Sequence, residues 1–151
     1  MIKTLICFIL FLIPLYAFNP NDLSEFIRKG DKYFSQFNNL SALEKYREAY
    51  KLSPDNYEVL FRLARAYNDL GEEYYEYRMR DSSEAMIRNA LVISEKMKTE
   101  FPDSAATYAY LAMSYGNQAM YEGGKGKIKL ARKIEENAKK SLALDPDQYL
   151  S

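Results

Sequence analysis

The chain has 151 residues, which is enough for one domain with a single hydrophobic core. Its 21 lysines and arginines balance its 21 aspartates and glutamates, so no basic excess favours a nucleic-acid partner. It has no histidine, and its one cysteine is Cys7. Ordinary zinc sites, a histidine general base and an intrachain disulfide are therefore excluded, and we expect neither an enzyme nor a cofactor.

The N-terminal residues have the pattern of a secretory signal peptide. Lys3 precedes an apolar run over residues 5–13, and Ala17 offers a small residue for cleavage. The run is shorter than the roughly 20 residues that span a bilayer, and Pro14 would interrupt a spanning helix. We expect residues 1–18 to be removed and the protein to be periplasmic or secreted. An uncleaved segment that attaches the protein to a membrane is the alternative.

Two amphipathic stretches predict the first pair of helices. The apolar positions of residues 23–38 suit one helix, and those of residues 40–52 suit a second. Ser41 would begin the second helix as part of a capping box, and Pro54 would end it. This predicts an antiparallel pair over residues 23–56.

The second unit, residues 57–104, is longer than the first. A helical pattern covers residues 57–70, and Gly71 follows as a candidate helix end. Residues 81–84, Asp-Ser-Ser-Glu, carry a new start signal. We expect the residues between these signals to be an insert that lengthens the unit.

The third unit covers residues 105–148. Its first helix is followed by a glycine-rich loop at residues 122–126. Its second helix carries an apolar stripe of Ile128, Ala131, Ile134, Ala138 and Leu142. No further pair follows to cover this stripe, so we expect it to permit self-association.

The three units share a pattern of large, large, small and tyrosine on one helical face. The copies are Leu60, Leu63, Ala64 and Tyr67, then Tyr108, Leu111, Ala112 and Tyr115, and a weaker Phe26, Lys29, Gly30 and Tyr33. The small residue would let a neighbouring helix approach closely. Each unit also ends at a Pro-Asp step, which makes the chain a helical repeat array.

A 34-residue unit that carries alanine and leucine before its closing proline, as Ala42, Ala49, Leu52 and Pro54 do, resembles the tetratricopeptide repeat. The resemblance covers residues 23–148 within a domain of residues 19–151. It implies an all-α, right-handed α-solenoid of about three antiparallel helix pairs.

A narrower resemblance lies in residues 115–131, YGNQAMYEGGKGKIKLA, and in the Leu142-Ala-Leu-Asp-Pro146 ending. These segments resemble the regulator of microtubule dynamics family and its bacterial relatives. The resemblance implies a non-enzymatic helical array in which a further helix pair normally follows the Asp-Pro step. Microtubule binding is not carried over, because a secretory leader points away from the cytoskeleton.

Repeat arrays of this kind usually bind along the concave face of their first helices. The residues expected there are Phe34, Phe61, Arg65, Asn68, Asp69, Met113 and Asn117. They would form a mixed groove with apolar anchors and polar contacts, or serve in part as ordinary core and surface residues.

The glycine-rich loop offers a second candidate site. Its Gly126-Lys127 step lacks the Ser or Thr that a phosphate-binding loop requires next, so nucleotide binding is not favoured. Lys125 and Lys127 are candidate contacts for an anion such as a lipid head group, or else solvated side chains of a flexible loop.

We expect an interaction or scaffold module that binds a protein or peptide. The alternative is a periplasmic carrier of a lipid or another small apolar molecule. A carrier needs an enclosed apolar cavity of roughly 300 Å³ or more, whereas an adaptor needs an open groove.

Overall fold

The structure is a computed structural model that describes residues 20–147, which form six helices. The helices are α1 Pro20–Ser35, α2 Asn39–Leu52, α3 Tyr57–Glu76, α4 Arg80–Glu100, α5 Ala105–Ala119 and α6 Gly124–Leu144. They pack as three consecutive pairs, and the pairs stack through α2 on α3 and α4 on α5. This confirms the predicted all-α array of three helix pairs. The predicted signal peptide lies outside the described residues.

No helix within residues 20–147 combines the length and the apolar character that a membrane crossing requires.

Polar side chains cap three of the helices. Asn38, Asn56 and Ser104 each accept a hydrogen bond from a backbone N–H in the first turn of the helix that follows. The predicted capping role of Ser41 is therefore wrong, because α2 begins at Asn39 and the Ser41 N–H donates to Asn38 Oδ1 at 3.1 Å.

Gly71 does not end α3, which continues to Glu76. Its backbone lies against α4 so closely that an added Cβ would lie 2.8 Å from Ile87 Cγ1. The Ser83 hydroxyl donates to the Gly71 carbonyl at 2.5 Å, so the predicted start signal ties α4 to α3 rather than capping a helix. The insert thus lengthens both helices of the second pair.

The last helix differs from its prediction at both its start and its buried face. It begins at Gly124, so Lys125 and Lys127 lie in its first turn and not in a loop. Its buried residues are Leu130, Asn137 and Ser141. Of the predicted stripe, Ile134 packs towards α5, whereas Ile128, Ala131 and Leu142 are exposed. At 3.6 residues per turn the predicted stripe is rotated by about 100° from Leu130, Asn137 and Ser141, so only its edge at Ile134 faces α5.

The largest hydrophobic cluster joins the first two helix pairs. Tyr46 at its centre is fully buried, as are the alanines Ala42, Ala49 and Ala64. A second, small cluster of Leu111, Tyr115 and Leu130 joins α5 to α6.

The buried alanine of the second unit predicts a difference between the two strong copies of the repeated pattern. Ala64 is fully buried, whereas Ala112 is only half-buried. We expect Ala64→Leu to lower the free energy of unfolding by roughly 1–3 kcal/mol and Ala112→Leu to lower it less. Urea denaturation of the two variants measures this. Equal losses would mean that the two positions are equally confined, contrary to the structure.

Candidate functional site

The first helices of the three pairs, α1, α3 and α5, are joined by side chains. Arg62 of α3 makes a two-pronged ion pair with Asp31 of α1, with Nε to Oδ1 at 2.8 Å and Nη2 to Oδ2 at 3.0 Å. The rings of Phe61 and Tyr110 link α3 to α5 edge to face, with centroids 5.2 Å apart. We call the surface formed by Phe34, Phe61, Arg65, Asp69 and Tyr110 the first-helix surface.

Arg65 is stacked on an aromatic ring but is incompletely hydrogen-bonded. Its Cζ lies 3.6 Å from the centroid of the Phe34 ring and 5.8 Å from that of Phe61. Its Nη2 donates only a long hydrogen bond, 3.5 Å, to Tyr46 Oη. Its Nε is buried and has no hydrogen-bond partner within the described part of the chain. The guanidinium is thus fixed in orientation and keeps donor capacity for a further acceptor.

Buried polar groups behind Arg65 hold its neighbours in place. Tyr46 Oη donates to Asp31 Oδ1 at 2.7 Å. Burial and this hydrogen bond raise the pKa of Tyr46 to about 12, so its hydroxyl keeps its proton. Partial burial opposes ionisation of Asp31, but the hydrogen bonds from Arg62 and Tyr46 outweigh it and lower the pKa of that carboxyl.

Asp69 supplies an acceptor one helical turn beyond Arg65. Within residues 20–147 its carboxyl group makes no hydrogen bond or ion pair. Burial raises the pKa of Asp69 to about 6; Arg65 lowers it and Glu72 raises it further. A donor and an acceptor, both incompletely satisfied, therefore lie at i and i+4 on one helix face.

The raised pKa of Asp69 predicts a pH-dependent gain from Asp69→Asn. The folded state binds the Asp69 proton more tightly than the unfolded chain, in which the pKa of the carboxyl group has its ordinary value of 3.8. The contribution of Asp69 to stability is thus fully present below about pH 4 and is lost as the pH rises through about 6. We expect the variant to gain about 1 kcal/mol in free energy of unfolding near pH 7.5 and almost nothing near pH 4. The value at pH 7.5 is reduced because Asp69 is partly exposed and solvent screens its charge.

Urea denaturation of both proteins at the two pH values measures the gain. A gain of the same size at both would show that the Asp69 carboxyl is not destabilised by its surroundings.

Two of the predicted groove residues, Asn68 and Asn117, are not at the surface. Asn68 is fully buried, donates to Ser114 Oγ at 3.0 Å and accepts from Asn117 Nδ2 at 3.1 Å. They form an interior polar link between α3 and α5, so the groove assignment for this pair was wrong. The sequence held a signal for this, because Asn68 lies four residues after Ala64 and so shares the packed face.

The other predicted residues lie at the surface. Phe34, Phe61, Arg65 and Asp69 come together on α1 and α3, while Met113 is exposed on α5. Lys125 and Lys127 are exposed on α6, so their assignment to an anion site stays a prediction.

Tyr110 was missed by the sequence reasoning. Tyr110 lies two residues after Tyr108, and Arg62 lies two residues after Leu60, the equivalent of Tyr108 in the second unit. Arg62 contacts α1, the first helix of the preceding pair. The same register places Tyr110 against α3.

Within residues 20–147, no cluster of three or more His, Cys, Asp or Glu side chains could hold a metal ion.

Comparison with known proteins gives one family. The model of the family described as regulator of microtubule dynamics protein 1-3 matches residues 26–151, which includes nearly all of the six helices. No curated protein matches the chain.

Proposed function

The chain belongs to the regulator of microtubule dynamics protein 1-3 family, and we propose that it is a non-enzymatic interaction module of the tetratricopeptide type that binds a segment of another protein. The first-helix surface is the binding surface in this proposal. Binding by an exposed face of stacked helix pairs is the common use of repeat arrays.

The observation that carries the proposal is the incompletely satisfied pair of Arg65 and Asp69. An extended protein segment presents a carbonyl or carboxylate oxygen that would accept from Arg65 and an N–H that would donate to Asp69. Arg65 Nη1 makes no hydrogen bond within residues 20–147 and, unlike Nε, is not among the buried atoms, so it can donate to the bound segment. The rings of Phe34, Phe61 and Tyr110 would supply apolar contact beside these groups.

The cavities favour an adaptor over a carrier. A carrier of a small apolar molecule needs an enclosed apolar cavity. Two cavities of about 430 and 390 Å³ within residues 20–147 are instead open to solvent, and charged and tyrosine side chains line them. Neither opening has the enclosed form that a carrier requires, and neither is lined by residues of the first-helix surface.

Selection of a displayed peptide library on the immobilised protein tests the proposal. We expect acidic peptides to be enriched and to lose about tenfold in affinity with Arg65→Lys, because lysine keeps the charge but lacks the planar fork. Arg28→Lys, at an exposed arginine of α1, is the matched control and should bind as the unchanged protein does. Enriched peptides that bind the Arg65→Lys variant equally well would contradict the proposal.

The repeat register supports self-association through α6. Tyr46 and Ser94 lie at the same distance before the prolines of their units, and each contacts the first helix of the following unit. Ala138 has that position in α6. We propose that a second copy or a partner covers the side of α6 that carries Ala138. Light scattering across a concentration series tests it, and a strictly monomeric protein at high concentration would contradict covering by a second copy.

Export is a proposal that rests on residues 1–18 alone, whose pattern is that of a signal peptide. The intact mass of the exported protein tests it. A mass that still includes these residues would favour attachment to a membrane.

A further inference from the structure

An open cavity of about 430 Å³ lies at the turn between α3 and α4, where Tyr75, Glu76, Arg78, Arg80 and Tyr121 line it. None of these residues belongs to the first-helix surface. A cavity of this size suits a small molecule.

The aromatic walls of the cavity come from two helix pairs, and a hydrogen bond holds one of them, Tyr121. The rings of Tyr75 and Tyr121 meet edge to face with centroids 5.8 Å apart. Tyr121 Oη donates to Ser83 Oγ at 2.6 Å, and Arg80 Cζ lies 5.0 Å from the centroid of the Tyr121 ring. The cavity thus offers a preorganised surface on which a flat ring can stack.

The two arginines of the cavity differ in their partners. Arg80 Nε pairs with Glu84 Oε1 at 2.7 Å. The guanidinium of Arg78 has no hydrogen bond or ion pair within residues 20–147. Its charge is free to pair with an anion.

Arg78 also has a backbone conformation that favours glycine. Its φ is 59°, in the left-handed region, which is costly for a residue with a side chain. The turn between α1 and α2 has the same conformation at Phe37, whose φ is 57°. In both turns the next residue donates back to the helix, Asn38 N–H to the Tyr33 carbonyl and Met79 N–H to the Tyr74 carbonyl. This turn therefore ends the first helix of both pairs, and at Arg78 it puts a cationic side chain in the lining of the cavity.

We propose that this cavity binds a small aromatic anion. The ring lies against Tyr75 and Tyr121, and its carboxylate or phosphate pairs with Arg78. Glu76, which also lines the cavity, repels an anion placed beside it and so orients the charged end of the ligand towards Arg78. The site is separate from the first-helix surface and does not depend on the function proposed for it.

Calorimetric titration of the full chain with benzoate, benzamide and benzamidine tests the proposal, because these probes share a ring and differ in charge. We expect benzoate to bind at least about tenfold more tightly than either of the others. Phenyl phosphate and inorganic phosphate distinguish the ring from the anion, and only the former should bind saturably. Tighter binding of benzamidine would assign the cavity to cations through Glu76 and overturn the proposal. Absence of saturable benzoate and phenyl phosphate binding over the millimolar range would overturn it too.

Two arginine variants locate the site. Arg78→Gln should weaken benzoate binding about tenfold, whereas Arg28→Gln on α1 should leave it unchanged. The far-ultraviolet circular dichroism of Arg78→Gln should match that of the unchanged protein, because Arg78 is exposed and follows the end of α3. Equal weakening by both variants would show that benzoate senses only the net charge of the protein.

Discussion

Gly30→Ala is expected to lower the free energy of unfolding by roughly 2–3 kcal/mol, although alanine is the better helix former. Gly30 lies inside α1, and a Cβ there would be 2.6 Å from Tyr46 Cδ1 and nearer still to Cε1. The Tyr46 ring cannot easily move away, because it is fully buried and its hydroxyl bonds Asp31 at 2.7 Å. Helix α1 must then separate from α2. Chemical denaturation monitored by circular dichroism measures the loss.

The chain contains a matched control for this change. Gly116 lies inside α5, and a Cβ at that position would meet nothing within 4 Å. We expect Gly116→Ala to raise the free energy of unfolding by up to about 1 kcal/mol through helix propensity alone. Gly71→Ala should fall between the two, because a Cβ there meets one atom closer than 3.0 Å, Ile87 Cγ1 at 2.8 Å, whereas at Gly30 it meets three atoms of the Tyr46 ring. If Gly30→Ala is as well tolerated as Gly116→Ala, the close packing of α1 on α2 is wrong.

These three glycines show what the sequence could and could not predict. The weak copy of the repeated pattern correctly predicted a close helix contact at Gly30, because periodicity alone places this residue on the packed face. The predicted helix end at Gly71 is wrong, since glycine is found both just beyond a helix and at a close contact between helices. Only the contact of Gly71 with Ile87 on α4 distinguishes these roles, and local sequence does not contain that contact.

The candidate site also has features that residue spacing predicts and features that depend on packing. Spacing along α1 and α3 was enough to bring Phe34, Phe61, Arg65 and Asp69 to one face. The missing partner of Arg65 Nε and the burial of Asp69 depend on how α1 and α5 pack against α3, which residue spacing does not specify. The left-handed turns at Phe37 and Arg78 are also invisible in the sequence, because neither phenylalanine nor arginine usually marks such a turn.

The second large effect is expected at the interior polar link between α3 and α5. Asn68→Leu should lower the free energy of unfolding by roughly 2–4 kcal/mol. Leucine cannot accept the hydrogen bond from Asn117 Nδ2, so the buried side-chain amide of Asn117 loses its partner. Leucine also cannot donate to Ser114 Oγ. Asn89→Leu, at an exposed asparagine of α4, is the control for the same change of side chain and should be nearly neutral.

A double variant separates the hydrogen-bonded link from simple packing. Asn68→Leu together with Asn117→Leu removes both members of the pair and leaves neither amide unsatisfied, so it should cost less than the sum of the two single changes. Urea denaturation of the four proteins gives the interaction energy. A strictly additive cycle would mean that the two asparagines do not bond each other in the folded protein, contrary to the structure.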